Sequence, residues 1–218
     1  MNLKIAQTTA KMLLEIKAIS IRPKNPFVFT SGILSPIYID NRIVMSRPKT
    51  RKKIISFYLN ILKNKIGLSN IDLLSGTATA AIPHAAFISQ KLNLPMIYVR
   101  GKKKGHGKEN QVEGLIKKGQ KVVVIEDHIS TGGSLIGNLR AVRKAGGKVK
   151  YAVSTTTFLF KKADNAFKKE KIKVFTLTNF KEIIEIAVKN DIIKASDREM
   201  VLEWNQNPKK WGKKYGFE

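Results

Sequence analysis

Val122-Val123-Val124-Ile125-Glu126-Asp127-His128-Ile129-Ser130-Thr131-Gly132-Gly133-Ser134 is the stretch on which the reading of this chain turns. Its first four residues are β-branched and apolar without interruption, the pattern of a strand buried on both faces of a parallel sheet. Two carboxylates close the run, and a short loop of hydroxyl residues and glycines opens a helix. In an open α/β sheet, ligands bind beyond the carboxyl ends of the strands. Amide groups at a helix N-terminus, helped by the helix dipole, attract an anion, and glycine lets that backbone approach a phosphate closely. Thr131 and Ser134 add hydroxyl donors. A molecule with a phosphate at one end and vicinal hydroxyls nearby, such as a ribose 5-phosphate, suits this arrangement. The segment is neither a Walker loop, G-x-x-x-x-G-K-[ST], nor the dinucleotide fingerprint G-x-G-x-x-G. An ordinary helix cap can carry Thr-Gly-Gly-Ser, but it does not account for the whole pattern.

Outward from this stretch, strands and helices alternate. Residues 71–75 read as a buried strand, followed by a turn at Gly76 and an Ala-rich helix over 79–92. Residues 96–99, 122–125, 149–158 and 172–177 read as further strands, with helices over 134–145, 180–188 and 196–204. This alternation predicts an α/β fold with a mostly parallel central sheet flanked by helices on both faces. N-terminal to it, Ile5, Met12, Leu13, Ile16 and Ile19 recur at helical spacing. Two short β-rich runs, 27–30 and 36–40, flank Gly32 and suggest a hairpin-like unit. A basic helix runs from Pro48 to about Lys65. The expectation is a single domain over residues 1–218, with a small N-terminal hood over about 1–45 and a loose basic C-terminal tail from about 208.

The chain has 218 residues and no cysteine, which excludes a disulfide scaffold, a thiolate zinc site and a cysteine nucleophile. No apolar run reaches the length of a membrane helix, and charged residues interrupt the first twenty positions where a signal peptide needs an apolar core. A cytoplasmic protein with no membrane contact is the expectation. The net charge is +25. One reading is nucleic-acid binding. However, 33 lysines stand against 8 arginines, beside 26 isoleucines and 14 asparagines. Lys, Ile and Asn share A/T-rich codons, whereas phosphate recognition favours the planar fork of Arg. Codon drift therefore explains the excess better than a nucleic-acid partner does. The charge still concentrates anionic ligands near the surface.

The segment 122–134 resembles the binding motif for 5-phospho-α-D-ribosyl 1-diphosphate (PRPP) in type I phosphoribosyltransferases. The resemblance implies that Glu126 and Asp127 face the ribose hydroxyls, and that Thr131, Gly132, Gly133 and Ser134 wrap the 5-phosphate, with His128, Ile129 and Ser130 completing the PRPP site. Two further segments are similar to orotate phosphoribosyltransferases in particular. Tyr98-Val99-Arg100-Gly101-Lys102-Lys103-Lys104-Gly105-His106-Gly107-Lys108-Glu109-Asn110 resembles their mobile catalytic loop, and Phe29-Thr30-Ser31-Gly32-Ile33-Leu34-Ser35-Pro36-Ile37-Tyr38-Ile39-Asp40-Asn41-Arg42 resembles their hood over the pyrimidine. The loop also makes sense on its own residues, since a flexible cationic segment suits a leaving pyrophosphate. The resemblance further implies a pyrophosphate loop at Gly76, Thr77 and Ala78.

The implied activity is transfer of phosphoribosyl from PRPP to orotate, giving orotidine 5′-monophosphate and pyrophosphate in de novo pyrimidine (UMP) biosynthesis. Lys104, His106 and Asp127 carry the catalytic roles, with Arg100 anchoring pyrophosphate and Ser130, Tyr38 and Arg42 on the orotate side. Mg²⁺ is the implied cofactor, held through PRPP with no direct protein ligand, in keeping with its habit of binding through substrate phosphates. A homodimer is implied, in which Arg100, Lys104 and His106 act at a shared site. The chain departs from the family pattern at Gly101, Thr30 and Ala80, where members often carry basic residues, and it has no Arg over 154–158. Lys102 or Lys103 is the substitute for the loop lysine, and Arg42 or hood amides are the donors for the orotate carboxylate. His84 and His128 read as structural, and Trp204 and Trp211 as packing residues. A purine phosphoribosyltransferase and a regulatory nucleic-acid-binding protein of the same fold are the competing readings. The hood and the segment 104–107 favour orotate over the first.

Overall fold

The computed structural model describes residues 2–101 and 111–217. Helix α1 (Leu3–Glu15) is capped by Asn2, whose side-chain oxygen accepts the Ile5 N–H at 3.2 Å. Ala6, Ala10, Leu13 and Leu14 form its buried stripe. Four short strands follow: β1 (Ile19–Ile21), β2 (Phe27–Val28), β3 (Leu34–Ser35) and β4 (Ile37–Ile39). β2 and β3 pair antiparallel around Gly32, which sits at φ 80°. The hairpin closes sooner than the sequence suggests. β4, read as its second arm, turns back to pair with β1, Ile19 opposite Ile39. Pro36 lacks an N–H and separates the two ladders.

A 3-10 turn (Asn41–Ser46) leads to α2 (Pro48–Ile61), which carries proline in its first turn, where the missing N–H costs nothing. The sheet is then built from β5 (Leu73–Thr77), α3 (Ala81–Leu92), β6 (Met96–Val99), β7 (Val112–Glu113), β8 (Lys121–Ile129), α4 (Gly133–Lys144), β9 (Lys148–Thr157), α5 (Lys161–Lys169) and β10 (Lys173–Thr176). Helices α6 (Phe180–Lys189), α7 (Arg198–Gln206) and α8 (Pro208–Lys214) complete the chain.

The six-stranded sheet has the order β10-β9-β8-β5-β6-β7, parallel except for the edge strand β7. Chain progress reverses between β5 and β8: β6 extends to one side and β9 and β10 to the other. This makes the carboxyl ends of β5 and β8 the topological switch point, where open α/β sheets leave a crevice. Side chains of β8 alternate between the two layers. Val123 and Ile125 join the core under α1, α2, α3 and α6, whereas Val122 and Val124 join the core under α4 and α5. Burial on both faces is why the strand is apolar without interruption.

Further elements differ from the sequence reading. β8 does not stop at Ile125 but continues through both carboxylates to Ile129, paired with β9. Helix α5 escapes notice because only Ala163 and Phe167 of its nine residues are buried. The stretch from Pro208, expected as a loose tail, folds into α8. Trp211 is 2% exposed, donates its indole N–H to the Met200 carbonyl at 2.7 Å, and stacks on Phe217. Trp204 in turn lies among Phe29, Phe158, Phe160 and Phe180 and donates to the Leu34 carbonyl at 2.9 Å, fixing α7 to the hood. Both tryptophans are packing residues. Among the described residues no helix is long and apolar enough to cross a membrane.

Since α8 docks through one buried ring, Trp211→Ala should lower the free energy of unfolding by about 3–5 kcal/mol, the usual range for an emptied aromatic site. Urea denaturation reads this as a fall in midpoint. An unchanged midpoint would show that the segment from Pro208 adds nothing to the core.

Candidate active site

A cleft of about 450 Å³ opens at the switch point, walled by residues 39–42, 78–80 and 126–135. It thus brings together the end of β8, the loop into α4, the loop into α3 and the hood. Glu126, Asp127, His128, Ile129, Ser130, Thr131, Gly132, Gly133 and Ser134, all expected at the site, line it, and so does Arg42.

The two carboxyl groups are its floor. Glu126 is 4% exposed; its Oε1 accepts the Asp127 N–H at 3.1 Å, and its Oε2 is buried with no partner among the described residues. Burial, followed by the neighbouring Asp127 charge, pushes the Glu126 carboxyl well above the ordinary range. Burial also raises Asp127, against the lowering effect of its hydrogen bonds and of Arg42. Adjacent carboxyls with little water around them resist ionising together. Both effects oppose full ionisation of the pair, more strongly at Glu126 than at Asp127.

The loop into α4 is fixed by Gly132, which sits at φ 82°. A Cβ there would meet the Phe167 ring at 2.9 Å, so both backbone and packing demand glycine. Gly133, Ser134 and Leu135 form the first helical turn beside the cleft. The N–H groups of such a turn have no intrahelical acceptors, and they lie at the position where the sequence reading expects an anion.

Gly76, Thr77 and Ala78 are arranged differently from the expected pyrophosphate loop. Gly76 and Thr77 are residues of β5, and the Thr77 hydroxyl accepts from Asn138 at 3.1 Å. The Ala78 N–H is committed to the Val99 carbonyl at 3.0 Å. The wall facing the cleft is formed by Ala78, Thr79 and Ala80, just before α3. Arg42 is held by Asp40 in a two-pronged pair, 2.6 Å from Nε and 2.8 Å from the terminal nitrogen. Tyr38 is 42% exposed, rests against Phe27 and does not line the cleft. Arg100 lies outside the wall too, its Nε 2.9 Å from a Glu113 carboxylate oxygen. Lys102, Lys103, Lys104, His106 and Lys108 lie outside the described residues.

His84 is fully buried against Tyr58, and burial holds its pKa down at about 4. His128 is depressed likewise to about 4, with Nδ1 2.9 Å from the Thr156 hydroxyl. Both rings are neutral at pH 7, as suits structural histidines. Sequence reasoning gave no role to Asn41, in the cleft wall, or to the buried Tyr58, Thr155 and Thr156. The available signal was the hydroxyl run 154–157, which continues the apolar residues 151–153 of the same strand and is buried throughout. Four consecutive buried hydroxyl residues require polar partners.

Residues 46–191 match the phosphoribosyl transferase domain family. The chain is 47% identical over 203 residues to the orotate phosphoribosyltransferase of Staphylococcus saprophyticus, covering 93% of this chain and 99% of that protein. It is 44% identical over 215 residues to that of Bacillus subtilis, covering 98% and 99%. Among solved structures, it is similar to the orotate phosphoribosyltransferase of Aeropyrum pernix, with a TM-score of 0.72 at 30% identity over 81% of this chain and 96% of that one.

Two outcomes follow from this geometry. Gly132→Ala should destabilise the fold by more than about 1 kcal/mol, because the new methyl is strained at positive φ and collides with Phe167. It should also weaken inorganic phosphate in a calorimetric titration; unchanged affinity would show that the α4 turn is not the anion site. The second outcome concerns acid stability. His84 binds a proton more weakly folded than unfolded, so its stabilising neutrality holds above about pH 6.5 and is lost as pH falls towards 4. Between pH 7 and pH 5 the parent should lose about 2 kcal/mol that His84→Leu keeps. Parallel pH profiles of the two proteins would contradict the assignment.

Proposed function

Since the chain belongs to the orotate phosphoribosyltransferase family, we propose that it transfers phosphoribosyl from PRPP to N1 of orotate, releasing pyrophosphate and giving orotidine 5′-monophosphate for pyrimidine synthesis. The observation that carries this reading is the pair Glu126 and Asp127 beside an amide-lined turn, at a crevice shared with the hood. In this reading the turn Thr131 to Ser134 holds the 5-phosphate and the carboxyl pair holds the ribose hydroxyls. The 78–80 wall, at the start of α3, lies beside the pyrophosphate, two residues beyond where the sequence pattern suggested.

Loss of pyrophosphate leaves positive charge on the ribose in an oxocarbenium-like transition state, as in other glycosyl transfers. Asp127, ionised, stabilises that charge from a site with little water to screen it. Glu126 accepts or donates a hydrogen bond to a ribose hydroxyl according to its proton. Orotate gives up its N1 proton readily, so no side chain is needed as a base, consistent with two histidines kept neutral by burial. The chain's task is positioning and electrostatics.

Two carboxylates on a cleft floor fit Mg²⁺ held mainly by oxygens of PRPP, since this ion keeps waters and tolerates few protein ligands. When bound, it supplies neutralisation of the departing pyrophosphate. Lys104 and His106 meet the pyrophosphate, and Arg100, which pairs with Glu113 here, helps anchor it. We further propose a homodimer in which Arg100, Lys104 and His106 serve a shared site. On the orotate side the candidates are Ser130, Tyr38 and Arg42. Arg42 must exchange its Asp40 partner for the orotate carboxylate, so the hood amides remain the competing donors.

Orotate absorbance followed with PRPP and Mg²⁺, beside hypoxanthine, xanthine, adenine and uracil, tests the reading. Only orotate should be consumed; turnover of a purine instead would discard the hood assignment. Lys104→Ala should lower kcat by about 10²–10³, the effect of removing a positioned electrostatic donor. An unchanged kcat would remove Lys104 from the mechanism.

A further inference from the structure

The two carboxyl-bearing peptides lie where β8 outruns its neighbour. β5 stays in register with β8 only to Gly76 opposite Ile125, whereas β9 follows to Ile129. Beyond Ile125, side chains from outside the sheet reach the main chain. Tyr58 of α2 donates its hydroxyl to the Glu126 carbonyl at 2.7 Å, and Asn41 of the hood donates its amide to the Asp127 carbonyl at 2.7 Å.

Counting protons fixes the rest of the arrangement. The single Tyr58 hydroxyl hydrogen is spent on Glu126, so the Thr155 hydroxyl, 2.8 Å away, donates to the Tyr58 oxygen. Asn41 spends its second N–H on the Thr156 hydroxyl at 2.9 Å. Thr156 also lies 3.3 Å from the Asp127 carbonyl and 2.9 Å from His128 Nδ1. A neutral His128 protonated on Nδ1 donates to Thr156, which then donates to Asp127. Under this tautomer every hydrogen in the chain has an acceptor. Tyr58 is 0% exposed and Asn41 1%. Both side chains are thus largely shielded from water.

We propose that Tyr58 and Asn41 are positioning residues for the phosphoribosyl site. They clamp the peptide groups of Glu126 and Asp127 and thereby aim the two carboxyls at the ribose. Asn41 also makes the hood part of the ribose half of the cleft, not only a cover for the base. The inference rests on the functional reading above for the identity of the sugar phosphate. It predicts a particular division of labour: the clamp controls ribose hydroxyl recognition, while the α4 turn binds phosphate independently.

The test measures ribose 5-phosphate and inorganic phosphate binding to the full chain by calorimetry, so that no turnover is required. Tyr58→Phe removes one oxygen and leaves the packing ring, and Asn41→Ala removes the hood clamp. Each should weaken ribose 5-phosphate about tenfold, the effect of one buried hydrogen bond, and leave inorganic phosphate within about twofold. If both ligands weaken equally, the residues only hold the fold together and the proposal is overturned. Unchanged affinity for both ligands in Tyr58→Phe overturns it as well. The functional reading fails separately: wild-type chain that binds ribose 5-phosphate but does not consume orotate contradicts that reading and leaves the clamp to be decided by the two affinities. Wild-type chain that binds ribose 5-phosphate no better than phosphate overturns both.

Discussion

Two carboxyl groups on neighbouring residues, held largely out of water, are the constraint around which this molecule is organised. Burying Glu126 and Asp127 side by side is unfavourable, because each loses hydration and each repels the charge of the other. The fold supports the pair where the sheet reverses direction, at the only kind of place where a parallel strand can project polar groups into a crevice without breaking its core. Behind them, apolar β8 anchors the strand on both faces. In front, a glycine at positive φ turns the chain into α4 and sets amides beside the carboxyls. A ligand carrying hydroxyls, phosphate and developing positive charge answers each of these features together.

The parts of this design differ in how plainly they show in the sequence. The stretch from Val122 to Ser134 is legible because each element in it is local: an unbroken apolar strand, acidic residues and a glycine turn. Even so, the strand appeared to end before the carboxylates, since polar residues look like a strand terminus although β9 continues to pair with them. α5 was hidden by composition. In a chain with 33 lysines, a nine-residue helix that carries four of them and buries only Ala163 and Phe167 reads as a solvated connection. The docked α8 was hidden for the same reason, its one deep contact being Trp211 among lysines. The pairing of β4 with β1 and the contacts of Tyr58 and Asn41 with β8 join residues far apart in the chain, and no periodicity records them. The resemblance to known enzymes is carried by segments, and the cleft shows how they meet: hood and β8 share a wall, and the residues lining it before α3 are 78–80, not 76–78.

The charge of the chain fits this account without a nucleic-acid role. With a net charge of +25 the molecule attracts polyanionic substrates generally. Selectivity comes from placement instead. The arginines that the structure describes are largely engaged by acidic partners, such as Arg42 with Asp40, Arg143 with Glu170 and Arg198 with Glu185. In the proposed reading the 5-phosphate is met by backbone amides and hydroxyls, whose geometry the fold fixes, while cationic side chains serve the pyrophosphate and orotate sides.

The reverse reaction tests the central claim most directly, because it starts from the product that the cleft is argued to accommodate. Orotidine 5′-monophosphate, pyrophosphate and Mg²⁺ are mixed with the enzyme and the appearance of orotate absorbance is followed. The account predicts orotate release by the wild-type chain and a rate lower by about 10² or more in Asp127→Asn, which keeps the shape of the site and removes the charge facing the ribose. Equal rates in the two proteins, or no orotate from the wild type, would contradict it.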